Sequence, residues 1–322
     1  MTIAINRLMR TDWFGPFFII VLAIVLISSF SPQFLSPLNI QVLLLALAVN
    51  ALIAYSQMVI IAIGQMNLSV GAIGGLAAIS FAGMMEIWGL PAFAAAPLAL
   101  VIGIVCGALN GIVIAVSGIS AFVVTLATLS IYKGINLGIT RAQPFYGVPQ
   151  EVKAFGTATL FGPIPMLLLP TIIAAIVLWV LLYRLPAGRF ILAVGGNSHS
   201  AELSGISVER TIVSAHAISG FLAALAGILV VARLQIGQPS IGDDWLILSF
   251  AAPVIGGAVL AGGHVSVAAT TFGVIIVAII TQVLVLFSID PFLVQVVMGA
   301  LILAAVGLNR LREARFNMRA SA

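Results

Sequence analysis

FAAAPLALVIGIVCGALNGIVIAVS, residues 93–117, runs without a single Asp, Glu, Lys or Arg. A helix of about 20 apolar residues covers a hydrocarbon core about 30 Å thick, so this stretch is long enough to cross a bilayer. Working outward from it, hydropathy marks further segments at 13–30, 40–63, 68–86, 119–139, 163–183, 211–231, 245–261, 265–287 and 291–308. That gives about ten spans between residues 13 and 308. The 322-residue chain is 62% apolar and 7% charged, against roughly 25% charged in an ordinary soluble domain. A soluble globule is excluded, and the expected fold is all-α: a polytopic membrane protein forming a single transmembrane domain over 1–322.

The basic residues give the orientation. Nine of them, Arg7, Arg10, Arg184, Arg189, Arg210, Arg310, Arg312, Arg315 and Arg319, fall on one side of a ten-span chain, and Lys133, Arg141, Lys153 and Arg233 fall on the other. Cytoplasmic loops carry the excess of Lys and Arg, so both termini are expected in the cytoplasm. Segment 184–210 is then the main internal loop, 140–162 the main external one, and 309–322 a cytoplasmic tail. The run at 13–30 has no small-residue cleavage site after it and is read as a retained span rather than a signal peptide.

Several function classes drop out. The net charge of +4 is not gathered into a basic stripe, which argues against nucleic acid. Cys106 is the one cysteine and cannot form an internal disulfide or a Cys-based metal site. No phosphate-binding loop, H-E-x-x-H or G-x-S-x-G string occurs, and His199, His216 and His264 are scattered. No catalytic residue, metal ligand or cofactor is expected on this chain, and it cannot hydrolyse ATP alone.

Inside the spans, ionisable side chains are nearly absent, which disfavours the buried acid–base relay of many ion-coupled transporters. His216 is read as a neutral packing residue. Amides and hydroxyls are more plentiful: Asn50, Ser56, Gln57, Gln65, Asn67, Ser69, Asn110, Thr125, Thr128, Ser130, Asn136, Gln282 and Gln295. Such groups suit a pathway for a neutral hydroxylated solute, because they offer donors and acceptors without trapping it by charge. They also serve as glue between helices or bond their own backbone, and both readings stand here. Asn67, Ser69, Asn110, Thr125, Thr128 and Gln282 are the pathway candidates. The glycines at 71, 74, 75, 103, 107, 111, 220 and 227 make small-xxx-small spacings that let helices approach closely. Segment 64–69, Gly-Gln-Met-Asn-Leu-Ser, reads as a possible helix break, tolerated only against protein or a cavity. Ser69-Val70 and Ser266-Val267, each near a glycine-rich tract, hint at an internal repeat.

The internal loop carries a recognisable string: Gly188-Arg189-Phe190, Ala193-Val194-Gly195-Gly196-Asn197, then Ala201-Glu202-Leu203-Ser204-Gly205-Ile206-Ser207-Val208. It resembles the loop of the ribose-type sugar permeases, the membrane subunits of bacterial binding-protein-dependent ABC importers. Asn67-Leu68-Ser69-Val70-Gly71, Leu109-Asn110-Gly111, the run from Phe122 to Thr128, Ala223-Ala224-Leu225-Ala226-Gly227, Ile255-Gly256-Gly257 and Pro291-Phe292 match the same family in order. The resemblance covers about residues 40 to 310.

It implies a permease in the bacterial inner membrane that works by alternating access. It also implies a second permease chain, identical or homologous, an ATP-binding subunit that uses ATP and Mg on the cytoplasmic side, and a periplasmic solute-binding protein. The coupling loop is implied to engage that ATPase through Asn197, Ser198, Ala201, Glu202, Ser204 and Gly205. Locally, 198–204 is long enough for a two-turn helix, with Asn197 or Ser198 as its cap and Gly205 as its end. The chain departs from the family pattern at Asn67, where an acid is usual, at Gly64-Gln65-Met66, at Leu246 and Leu248, and at Pro253. The substrate is expected to be a monosaccharide or a related neutral solute. Nucleosides, polyols or branched-chain amino acids are the alternatives within the class, and an ATP-independent secondary transporter is the alternative outside it.

Overall fold

The computed structural model describes residues 14–290 and a few positions between 293 and 307. The expected span at 291–308 and both terminal arginine clusters lie largely or wholly outside the described residues. Twelve α-helices follow one another over 14–290: α1 Phe14–Phe30, α2 Pro37–Ala62, α3 Val70–Glu86, α4 Ala92–Ser117, α5 Ala121–Thr140, α6 Gln150–Thr157, α7 Leu168–Arg184, α8 Pro186–Gly196, α9 Ser198–Leu203, α10 Val208–Leu234, α11 Trp245–Ile255 and α12 Val267–Leu286. Among the described residues there is no strand, and only two isolated β-bridges, Phe145 with Gly237 and Thr159 with Pro165, pin the connections. The protein is an all-α, multi-pass membrane protein. Five helices, α2, α4, α5, α10 and α12, are long and apolar enough to cross a bilayer, and the bent pair α7–α8 makes a sixth; α1, α3 and α11 are shorter apolar helices.

The hub is α10, which packs most extensively on α4 and also touches α3 and α2. Glycines make this possible. A Cβ on Gly103 or Gly107 of α4 would run into the backbone of Gly220 and His216 on α10, and one on Gly220 would meet the Gly103 carbonyl. The helices therefore touch backbone to backbone along the small-residue stripe, with dispersion contacts replacing the hydrophobic drive that lipid does not supply. Gly227 repeats the device against Gly74 of α3, and Trp245 lies over Gly71 and Gly74.

Two segments differ from the hydropathy reading. The expected span at 245–261 is helical only from Trp245 to Ile255, a rise of about 16 Å, too little to cross the core alone. Pro253 sits inside this helix near its end rather than interrupting it. Its missing N–H withdraws one ladder bond, and Gly256-Gly257 then turn the chain. The other is the loop side of the sixth segment, where α7 and α8 meet at an angle of 70°. Leu185 is extended and Pro186 opens α8, because a residue before proline is driven out of the helical region.

Candidate functional site: a helix break and the loop that reaches it

Helix α2 stops at Ala62. Gly64 adopts φ +71°, the Gly64 N–H donates to the Ile61 carbonyl at 2.9 Å and the Gln65 N–H to the Ile60 carbonyl at 3.1 Å. That is a Schellman ending, which needs a left-handed residue after the cap and finds it in glycine. The chain then runs without helix to Ser69 before α3 begins at Val70. Segment 64–69 is thus a true break.

These six non-helical residues need partners for their backbone and side-chain groups wherever water is excluded. Gln57 supplies two when its amide is turned so that Nε2 donates to the Asn67 carbonyl at 2.9 Å and Oε1 accepts from the Asn67 N–H at 3.2 Å, the orientation that satisfies both groups. Asn67 Oδ1 accepts from the Ser69 N–H at 2.9 Å and from Ser69 Oγ at 2.8 Å, a local turn typical of asparagine. Thr125 Oγ1 on α5 accepts the Leu68 N–H at 3.0 Å and donates to the Ala121 carbonyl at 2.7 Å.

The bonds continue outward in both directions. Asn67 Nδ2 donates to Ser219 Oγ on α10 at 3.3 Å; the Ser219 and Ser56 hydroxyls are 2.9 Å apart. On the other side Asn110 Nδ2 of α4 donates to Ser69 Oγ at 2.8 Å. The Tyr132 hydroxyl of α5 lies 3.1 Å from Asn110 Oδ1 and 2.9 Å from the Cys106 carbonyl. One continuous polar network therefore ties α2, α4, α5 and α10 to the break. Ser56, Gln57, Asn67, Ser69, Asn110, Thr125 and Ser219 are all fully buried.

Of the six pathway candidates, the structure brings together Asn67, Ser69, Asn110 and Thr125. Thr128 is half-buried one turn along α5 and bonds the Thr125 carbonyl at 3.3 Å. Gln282 stands apart on α12, where its amide donates to Asn39 on α2. Ser219 and Tyr132 complete the network and are not among the pathway candidates, because a serine or a tyrosine in an apolar helix has no local feature that marks a distant partner. His216 is buried, with Nε2 3.0 Å from Gln65 Oε1, so a second residue of the break is held from α10. Its Nδ1 has no partner among the described residues.

The loop 184–210 folds into two short helices. Asn197 is extended and caps α9, its Oδ1 accepting the Ser200 N–H at 2.8 Å. Gly205, at φ +83°, ends it in a second Schellman turn: its N–H donates to the Glu202 carbonyl at 2.9 Å, and the Ile206 N–H to that of Ala201 at 3.0 Å. Of the implied coupling residues, Ala201 is buried and Asn197, Ser198, Glu202, Ser204 and Gly205 are exposed. Leu203 is 78% exposed, a large apolar side chain presented at the tip.

This tip is joined directly to the break. Just before α9, Gly195 of α8 lies so close to the chain that a Cβ there would overlap the Ala62 carbonyl and come within 2.7 Å of the Gly263 N–H. The Gly263 N–H itself donates to the Ala62 carbonyl at 3.0 Å. The two glycine-rich tracts, 64–75 and 256–263, therefore meet at α8. The first contains Ser69, just before α3, and the second is followed by Ser266, just before α12, the two Ser-Val pairs noted in the sequence.

A multi-pass protein whose helix break is clamped to a connecting loop by close glycine contacts has the build of a transport permease. The match to the model of the family described as branched-chain amino acid transport system/permease component covers residues 39–306. The chain belongs to that family, whose members are permease components and not themselves enzymes. It is 37% identical over 302 residues to the ribose import permease protein RbsC of Bacillus subtilis, covering 93% of each chain. It is 35% identical to the D-allose transport system permease protein AlsC of Escherichia coli, over 93% of this chain and 92% of that one. A third relative, the autoinducer 2 import system permease protein LsrD of Photorhabdus luminescens, is 31% identical over 84% of this chain and 83% of its own. No solved structure matches the chain at a significant level.

Proposed function

We propose that this chain is the membrane-spanning permease subunit of an ATP-driven, binding-protein-dependent importer for a monosaccharide, seated in the bacterial inner membrane. Relatives named for ribose and allose at 35–37% identity over nearly the whole chain support the solute class. The partners in this reading are a second permease chain, an ATP-binding subunit that supplies ATP and Mg chemistry at the 184–210 loop, and a solute-binding protein on the opposite face.

The observation that carries the mechanism is the contact of Gly195 with Ala62 and Gly263, one residue pair before the capped helix α9. Helix α9 is a small rigid body with an exposed tip, so a force applied by the ATPase travels through Asn197 and α8 into both helix breaks. Side chains of α2 and α5 hold the backbone of the break and those of α4 and α10 hold its side chains; in this reading alternating access switches the segment between two packings. In this reading Asn67, Ser69, Asn110 and Thr125 hold the break and shape the path, while Thr128 and Gln282 offer polar groups elsewhere along it.

The test is Gly205→Leu. A Cβ at Gly205 meets nothing within 4 Å, so the side chain fits, but the left-handed backbone costs a non-glycine residue about 1–2 kcal/mol. The expected result is a permease that still inserts and assembles but loses substrate-stimulated ATPase activity. Normal stimulation would reject the lever.

A further inference from the structure

The transport reading leaves unused the segment that joins α10 to α11. Helix α10 leaves the 184–210 loop at Val208 and ends at Leu234, about 39 Å away, so this segment enters the protein from the opposite face. Gly237 pairs with Phe145, N–H to carbonyl at 2.8 Å in both directions, and lies against Ala82 of α3. Further in, a Cβ on Gly75 would overlap the Ile241 carbonyl, and one on Gly71 the Gly242 carbonyl. Residues 237–242 therefore descend α3 from Ala82 to Gly71, about 16 Å. Asp243 follows directly, at a level about 22 Å along α3 from its last residue, Glu86.

An ion pair stands at the inner end. Lys133 of α5 forms a salt bridge with Asp243 and donates to the Pro239 carbonyl at 2.9 Å; Asn136 Nδ2 donates to the same carbonyl at 3.3 Å. Lys133 lies about 10 Å inside the end of α5 at Thr140, within the thickness of a hydrocarbon core of about 30 Å. Charges at such a depth face the interior of the bundle or a water-filled cavity, because lipid does not solvate them. The Lys133 and Asp243 side chains are nonetheless 27% and 55% exposed. Their open side is not the lipid side, since the exposed residues Ile131 and Ile135 lie about 160° round α5 from Lys133. The pair therefore opens onto water. Thr125, Tyr132 and Asn136 fall within about 40° of one another on α5, so a polar row leads from the pair to the helix break. Asn136 is buried, and its Oδ1 has no partner among the described residues.

We propose that Lys133, Asp243 and Asn136 form a site that holds the hydroxyls of the solute on its way from the face opposite the 184–210 loop to the break. The inference deepens the monosaccharide-importer reading and rests on it. A carboxylate accepts from one hydroxyl while the ammonium beside it donates to the next, and Asn136 Oδ1 is an acceptor left open next to them. Asp244 is exposed at the following position, so one ammonium stands with two carboxylates. That balance repels an anionic solute and does not trap a neutral one.

The experiment uses the full chain assembled in liposomes with its ATP-binding partner and binding protein, and its first readout needs no solute. With Cys106→Ala as background, Asp243→Cys should react with a membrane-impermeant maleimide, added on the face opposite the 184–210 loop, on the order of tenfold faster than Ile135→Cys. Equal rates would overturn the proposal whatever the solute. The second readout is labelled D-ribose carried per ATP hydrolysed, with saturating loaded binding protein. Asp243→Asn should lower this ratio on the order of tenfold, the loss of one charge-assisted hydrogen bond, while stimulated ATPase activity stays in place. Reversing the pair, Lys133→Asp with Asp243→Lys, keeps the salt bridge but exchanges donor and acceptor, so the ratio should stay low. Recovery of the native ratio by the reversal would mean that the pair only clamps the segment to α5, and would overturn the site. Fast labelling in a native assembly that carries no D-ribose would uphold a water-filled site and reject ribose as its solute.

Discussion

Replacing Gly195 with valine is expected to stop transport, by at least about a hundredfold, while the chain still reaches the membrane. The side chain would have to enter space held by the Ala62 carbonyl and the Gly263 N–H, both main-chain groups that cannot rotate aside. Helix α8 must then lift off both breaks, and the Gly263 to Ala62 hydrogen bond is lost with it. None of the crossings that build the α4–α10 hub involves this contact, so insertion and gross assembly should survive. Chain levels in membrane fractions, measured beside uptake, separate the two effects. A variant with near-normal uptake would mean that force does not pass from the loop to the breaks through this joint.

Asn67→Leu is expected to have the next largest effect. Leucine is close in size but removes three partners at once: the acceptor for the Ser69 N–H and hydroxyl and the donor to Ser219. Each buried group left unpaired costs about 1–3 kcal/mol in soluble proteins and about 0.6 kcal/mol on average between membrane helices, so the three together cost from about 2 to about 9 kcal/mol. The break should loosen before the hub does. Hydrogen exchange should show this as faster exchange at Leu68 and Ser69, with α4 and α10 unchanged, and uptake should fall at least tenfold. Unchanged exchange at 68–69 would show that Asn67 is not what holds the segment.

Much of this arrangement can be read along the chain, and the rest cannot for definable reasons. Hydropathy locates the spans because each helix must satisfy its own backbone in lipid and can do so only with a long apolar run. Gly64-Gln65-Met66-Asn67 betrays the break because its composition is wrong for a span, and Asn197 and Gly205 bracket α9 because caps are local chemistry. The glycine spacings correctly announce close helix contact. The partner of each glycine, and the fact that Ser219 and Tyr132 finish the polar network, depend on packing between residues far apart in sequence. So does the meeting of Gly195 with the two glycine tracts. The truncation of α11 was visible in outline, since Pro253 and Gly256-Gly257 mark it, but mean hydropathy over 245–261 masks it.

In the proposed function this chain carries solute only as the permease of an ATP-driven assembly. This is tested most directly by uptake into liposomes of the labelled monosaccharide that the cognate binding protein prefers. The chain is reconstituted with and without its ATP-binding partner. Uptake is expected only when the partner, Mg-ATP and the loaded binding protein are all present, and none from the chain alone. Accumulation or facilitated entry by this chain alone, independent of ATP, would contradict it.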